Sequence, residues 1–154
     1  MLAKAREALA RHDWESGRVL AAEFRTDDPT AEAERLDVLA EALWWLGRLD
    51  ECIEARQAAF RAHETLGEHR RAGQCAVWLY EHHGMAARPA MATAWLQRAR
   101  RALEGDPDCV EHGALLLREA ELAHGGGRLD EATGLAERAP VSYTHLTLPT
   151  ILLV

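Results

Sequence analysis

The sequence predicts an all-α fold, a tetratricopeptide-like right-handed superhelix of about four antiparallel helix pairs. Three observations carry this expectation. Gly47-Arg48-Leu49-Asp50-Glu51 returns as Gly127-Arg128-Leu129-Asp130-Glu131, 80 residues later. Each copy follows an apolar helical run, and each is followed by another. Ala, Leu, Glu and Arg dominate the chain up to residue 139, which favours helix over strand. Glycine ends a helix readily because it takes the left-handed backbone conformation without a Cβ clash. Asp50 and Asp130 can then cap the next helix or place negative charge at its positive end. Each phrase therefore reads as the tight turn of a helical hairpin, and a repeated hairpin implies an array of units of roughly 40 residues.

Taken in order, residues 2–12 form a first helix with Leu2, Ala5, Ala8 and Leu9 at helical spacing. His12-Asp13 is a turn, with Asp13 a cap. Residues 14–24 form a second helix that buries Trp14, Val19 and Leu20 or Ala21. Asp27-Asp28-Pro29 stops it, since proline cannot continue a helix. Thr30 caps a long helix over 31–46, with Leu36, Leu39, Ala40, Leu43 and Leu46 on one face. Residues 50–66 carry Ile53, Ala55, Ala59, Phe60 and His63, and Gly67 ends them. Residues 68–83 place Cys75, Ala76, Leu79 and Tyr80 inward, and 84–88 are a loop. Pro89 opens a helix carrying Met91, Trp95, Leu96, Ala99 and Leu103, closed by Gly105-Asp106-Pro107. Residues 109–124 and 130–139 complete the array around Gly125-Gly126-Gly127.

Composition narrows the function. The net charge is −7, which argues against a phosphate-binding face. Cys52, Cys75 and Cys109 are widely spaced within apolar helical runs and read as core residues of a reducing, cytoplasmic compartment. No signal peptide or membrane-spanning run is visible. A single lysine, no asparagine and abundant Ala, Arg and Gly point to a GC-rich bacterial source.

No catalytic pattern stands out. The lone Lys4 lacks the glycine frame of a P-loop, and no Gly-x-Ser-x-Gly elbow occurs. His82 and His83 point about 100° apart on a helix, so they do not chelate one ion easily. His63 with His69, and His112 with His124, lack the i, i+4 spacing of helical metal ligands. The expectation is a chain with no catalytic residues, no cofactor and no metal. A binding groove is the stronger reading. By register the first helices of the pairs place Glu34, Asp37, Glu41 and Trp44 or Trp45 on it, then Gln74, Trp78, Glu81 and His82, then Leu117, Glu121 and His124. Trp44 and Trp45 do not both fit one core stripe, so one packs between helices and the other lies nearer the groove. An acidic groove with an aromatic suits a basic or extended peptide.

These units resemble tetratricopeptide repeats. Asp13-Trp14 and Asp28-Pro29 have the spacing of that pattern, Gly47, Leu49 and Ala59 match in the second unit, and Gly127, Leu129, Ala132 and Ala139 match in the fourth. The third departs, because Gly84 is followed by a longer loop. Residues 42–51, 91–104 and 108–113 together resemble the N-terminal repeat region of LuxR-type bacterial transcriptional regulators, especially actinobacterial ones. That resemblance implies a regulatory or protein-interaction module whose helix-turn-helix domain lies further along the parent gene, with no direct nucleic-acid or membrane binding by this segment. Its partner is then a protein, a peptide or the missing domains of its own chain. A stand-alone tetratricopeptide adaptor and the regulatory arm of a nucleotide cyclase are the alternatives.

Residues 140–154 break the composition, with no charged residue and abundant Thr and Leu. Residues 141–150 resemble one reading frame of a transposase-end sequencing adapter, and 151–154 fit its continuation. The expectation is a native domain over 1–139, truncated, followed by a non-native tail. Loss of a terminal cap then implies marginal stability.

Overall fold

A computed structural model describes residues 1–139, so the expected foreign tail lies outside the described residues. The described residues form eight α-helices and no strand: α1 (Leu2–Ala10), α2 (Trp14–Glu23), α3 (Pro29–Trp45), α4 (Leu49–Leu66), α5 (His69–Met85), α6 (Pro89–Leu103), α7 (Val110–Gly125) and α8 (Leu129–Arg138). Each helix packs on the next in sequence. The remaining packing contacts are α1 with α3 and α5 with α7.

One turn geometry recurs five times. His12, Gly47, Gly67, Ala87 and Gly127 all adopt left-handed φ values between 55° and 76°. The residue after each donates its N–H to the carbonyl five residues back, as from Arg48 to Leu43, Arg88 to His83 and Arg128 to Ala123. This is the Schellman closure, which satisfies orphan carbonyls at a helix end. Gly47, Ala87 and Gly127 are spaced 40 residues apart. The repeated phrase therefore has a third copy, Ala87-Arg88-Pro89-Ala90, whose residues conceal it.

The expectation of a loop over 84–88 is corrected accordingly. The α5 helix continues through Gly84 to Met85, and the turn is as tight as the others. Ala87 bears the strained conformation that glycine carries elsewhere. Two caps also differ. Asp28, not Thr30, caps α3, its Oδ1 accepting from the Thr30 N–H at 3.1 Å with Pro29 in the first turn. Arg48 and Arg128 occupy the cap positions of α4 and α8 without a side-chain bond, so Asp50 and Asp130 act as first-turn charges. Asp13 caps α2 as expected, accepting from Ser16 N–H at 3.2 Å.

The largest core cluster runs from α3 to α7 and includes Leu36, Ile53, Phe60, Leu79, Trp95 and Leu115. A second cluster joins α1, α2 and α3 through Leu2, Leu9, Ala21 and Val38. On α2 the buried residues are Gly17 and Ala21, while Trp14 and Val19 stay half-exposed. Leu9 packs closely over Gly17, where a Cβ would meet its Cδ2 at 2.8 Å. Met91 is 45% exposed and does not join Trp95, Leu96, Ala99 and Leu103 inside. No described helix is long and apolar enough to cross a membrane.

Candidate functional site

The α3 and α5 backbones do not come into contact, although both pack on α4. Bulky and polar side chains hold them apart. Two cavities of about 220 and 280 Å³ lie along the resulting groove. The first is lined by Asp37, Glu41, Gln74 and Trp78, with Arg56 of α4 and Glu111 of α7. The second is lined by Glu41, Trp44, Trp45, Trp78, Glu81 and His82. Eight of the residues assigned to a groove by register thus come together.

The other four do not join them. Glu34 pairs with Arg6 of α1. Leu117, Glu121 and His124 line neither cavity. Glu121 instead accepts from Arg118, which also pairs with Glu81 at 2.9 Å. Through Glu111 and this Arg118–Glu81 bridge, α7 reaches the groove at residues that periodicity did not select.

The two tryptophans both line the second cavity but have different neighbours. Trp44 is half-buried and stacks on His82 with ring centroids 4.7 Å apart. Trp45 is 57% exposed and stacks on Trp14 at 5.2 Å. His82, expected at the groove surface, is instead buried beneath Trp44, with Nδ1 at 3.8 Å from Cys52 Sγ. Burial pushes the His82 pKa down to about 4, aided by the nearby Arg56 charge. Burial pushes the Cys52 thiol up. The two shifts favour a neutral imidazole beside a neutral thiol, the reverse of a thiolate–imidazolium nucleophile.

The floor of the groove holds a buried polar network. His63, fully buried on α4, meets Asp37 Oδ2 through Nε2 at 2.8 Å and Glu68 Oε2 through Nδ1 at 2.6 Å. Arg56, 4% exposed, donates to Asp37 Oδ1 at 3.3 Å and stacks on Trp78 at 4.1 Å. Cys75 Sγ lies 3.7 Å from the same Asp37 oxygen. Burial alone lowers the His63 pKa, but hydrogen bonds to Asp37 and Glu68 outweigh it and leave it raised. Cys75 is pushed up to about 12 by burial and the Asp37 charge. Asp37, His63 and Cys75 form a cluster of potential metal ligands within 4.8 Å of one another. Sequence reasoning placed His63 and Cys75 in the core and Asp37 on the groove, and missed that they meet. They come from three helices, so no local spacing could reveal them.

Larger hollows, of about 830 and 630 Å³, lie elsewhere, the first sharing Arg71 with the groove. One follows the turns around Gly67 and Gly105, and the other runs between α4 and α6 past Trp95. Their walls include several long, exposed Arg and Glu side chains, among them Arg70, Arg101 and Glu104. The α3–α5 groove is smaller, but its polar groups are anchored from beneath, the property that lets a site bind without a large ordering cost.

No protein-family model matches the sequence, and no curated protein matches it. Among solved structures, the crystal structure of BtubC (BKLC) from P. vanneervenii is similar, with a TM-score of 0.67 and 17% sequence identity. The match covers 88% of this chain and 57% of that one, so this chain spans little more than half of that structure's length. At this identity the likeness is one of fold alone.

Proposed function

We propose that residues 1–139 are a non-catalytic interaction module, a tetratricopeptide-like right-handed superhelix of four antiparallel helix pairs. We read it as the N-terminal part of a cytoplasmic LuxR-type regulator that grips a protein or peptide segment. The observation that carries this reading is the open α3–α5 groove. Asp37, Glu41, Glu81 and Glu111 line it against Arg56 and Arg71, so its balance is acidic. Trp78 is 37% exposed in it, a flat apolar surface beside carboxylates. Such a groove suits an extended segment with Lys or Arg beside an apolar residue. The neutral Cys52–His82 pair supports a binding role over a catalytic one.

Fluorescence titration of the full chain with extended Lys/Arg-containing peptides tests the reading. Basic peptides should bind, acidic counterparts should not, and affinity should fall with salt. Trp78→Ala should weaken binding about 10-fold or more, as loss of a buried aromatic anchor does. Equal binding of acidic and basic peptides, or no effect of Trp78→Ala, would overturn the groove assignment. The parent gene beyond codon 139 tests the regulator assignment separately. A helix-turn-helix domain is expected, whereas a cyclase domain or an immediate native stop would replace it with one of the alternatives.

A further inference from the structure

The arrangement around His63 poses a question of chemistry. A carboxylate only accepts hydrogen bonds, and both nitrogens of this fully buried imidazole face carboxylate oxygens at 2.6 and 2.8 Å. Something positive must therefore lie on each side of the ring. On the Nδ1 side it is the ring's own proton, donated to Glu68. A second proton can fill the Nε2 side, and so can a metal ion. Histidine ligands of metal sites characteristically donate their other N–H to a carboxylate, which fixes the tautomer and raises ligand basicity. Glu68 stands in that relation to His63.

We propose that the Asp37 carboxylate, His63 Nε2 and Cys75 Sγ form a binding site for one thiophilic divalent cation of the zinc type. The ligands are one carboxylate, one imidazole and one thiolate, all within the set zinc takes. They come from α3, α4 and α5. Their atoms lie within 4.8 Å of one another, and closing that to the edge of a zinc tetrahedron takes side-chain shifts of about 1 Å. Asp37 and Cys75 also line the 220 Å³ cavity, which leaves the fourth position to a water from the groove. Arg56 engages Asp37 through Oδ1, and Oδ2 faces His63 Nε2, the contact an ion would replace. Asp37 and the thiolate balance the charge of the ion, and Arg56 and Glu68 balance each other.

Binding exchanges protons for metal. The ion replaces one proton on His63 Nε2 and one on the Cys75 thiol, and both pass to solvent. The ion then joins α3 to α5 at the level where their backbones do not meet, so it sets the width of the groove. This holds whether or not the groove takes a peptide.

Metal-free chain titrated with Co²⁺ tests the proposal, because cobalt bound to thiolate gives a sulfur-to-metal charge-transfer band. The expected result is one Co²⁺ per chain with that band, displaced by Zn²⁺, with proton release on binding. Cys75→Ser should abolish the band, whereas Cys52→Ser and Cys109→Ser should keep it. Glu68→Gln should weaken Zn²⁺ binding roughly 10–100-fold while retaining the band. Glu68 makes no capping bond to α5, so this variant spares the helix start. Absence of a thiolate band in the wild-type chain overturns the proposal, however tightly cobalt binds elsewhere. So does a band that survives Cys75→Ser, or unchanged affinity in Glu68→Gln.

Discussion

The α5 helix faces α6 and α3 in opposite ways. Toward α6 the junction is closed and apolar. A Cβ on Gly73 would lie 2.4 Å from Cγ and Cδ2 of Leu103, so the absence of a side chain is what lets the helices approach. Phe60 of α4 and Trp95 of α6 meet edge to face in the same core cluster, with centroids 5.0 Å apart. Toward α3 the junction is open and polar. Cys75, Trp78 and His82 follow one another along one helical face. They meet Asp37, Arg56 and Trp44 in place of a backbone. The contrast shows how an array of similar helices acquires a site. Small residues close the spacing where stability is needed, and large polar ones prop it open where a surface must be kept.

The largest effect should come from removing the centre of the open junction. In the metal-free chain, Asp37→Ala leaves the Arg56 charge and His63 buried without their shared partner. We expect a loss of about 4 kcal/mol, read by urea denaturation, as for other broken buried pairs. A loss below about 1 kcal/mol would mean that water replaces the carboxylate, and that the network is a surface feature.

Next comes a pH dependence from the same side of α5. His82 is a base whose folded pKa, about 4, lies below its ordinary value of 6.5. Between those values the unfolded chain binds a proton that the folded chain resists, so stability falls as pH drops from 6.5 toward 4. The loss from this group should approach about 3 kcal/mol. His82→Leu should remove that component when the two stability–pH curves are subtracted. If the curves run parallel, His82 is not desolvated beneath Trp44.

The closed junction is tested by Gly73→Ala. Helix propensity favours alanine, but the clash with Leu103 should outweigh it and cost about 2 kcal/mol in thermal or denaturant unfolding. In a Leu103→Ala background the same change should cost less, since the space it needs has been vacated. Gly84, on the same helix, has nothing within 4 Å of a built Cβ. Gly84→Ala should therefore stabilise by up to about 1 kcal/mol. Equal effects at both glycines would mean that Leu103 does not crowd Gly73.

The smallest effect concerns the turn that leads from α5 into α6. Ala87 holds φ 55°, in the region where Gly47 and Gly127 sit at 70° and 76°. Ala87→Gly should relieve that strain and stabilise by about 0.5 kcal/mol, net of backbone entropy. A destabilised variant would show that the third turn is not equivalent to its neighbours.

Most of the helical layout was legible in the sequence. Every helix lies within about two residues of its expected bounds, because Pro29, Gly67, Pro89 and Pro107 punctuate strong 3.6-residue periodicity. The third turn was not legible, because an alanine adopts a conformation that propensity assigns to glycine. The groove was half legible. Period and register place Asp37, Glu41, Trp44, Gln74 and Trp78 on one side, but they are blind to which neighbour covers a side chain. His82 therefore lies buried, and Glu34 is drawn away to Arg6.

By itself, then, the sequence determined the helices, the turns at Gly47 and Gly127, and the acidic, aromatic character of one helix face. These follow from local physics, the fit of successive residues to helical backbone and of glycine to a left-handed turn. Only the tertiary structure decided that Asp37, His63 and Cys75 meet at one point, and that α3 and α5 stand apart while α5 and α6 close together. Those outcomes depend on side-chain volumes meeting across helices 26 to 38 residues apart in the chain, a distance no local pattern spans.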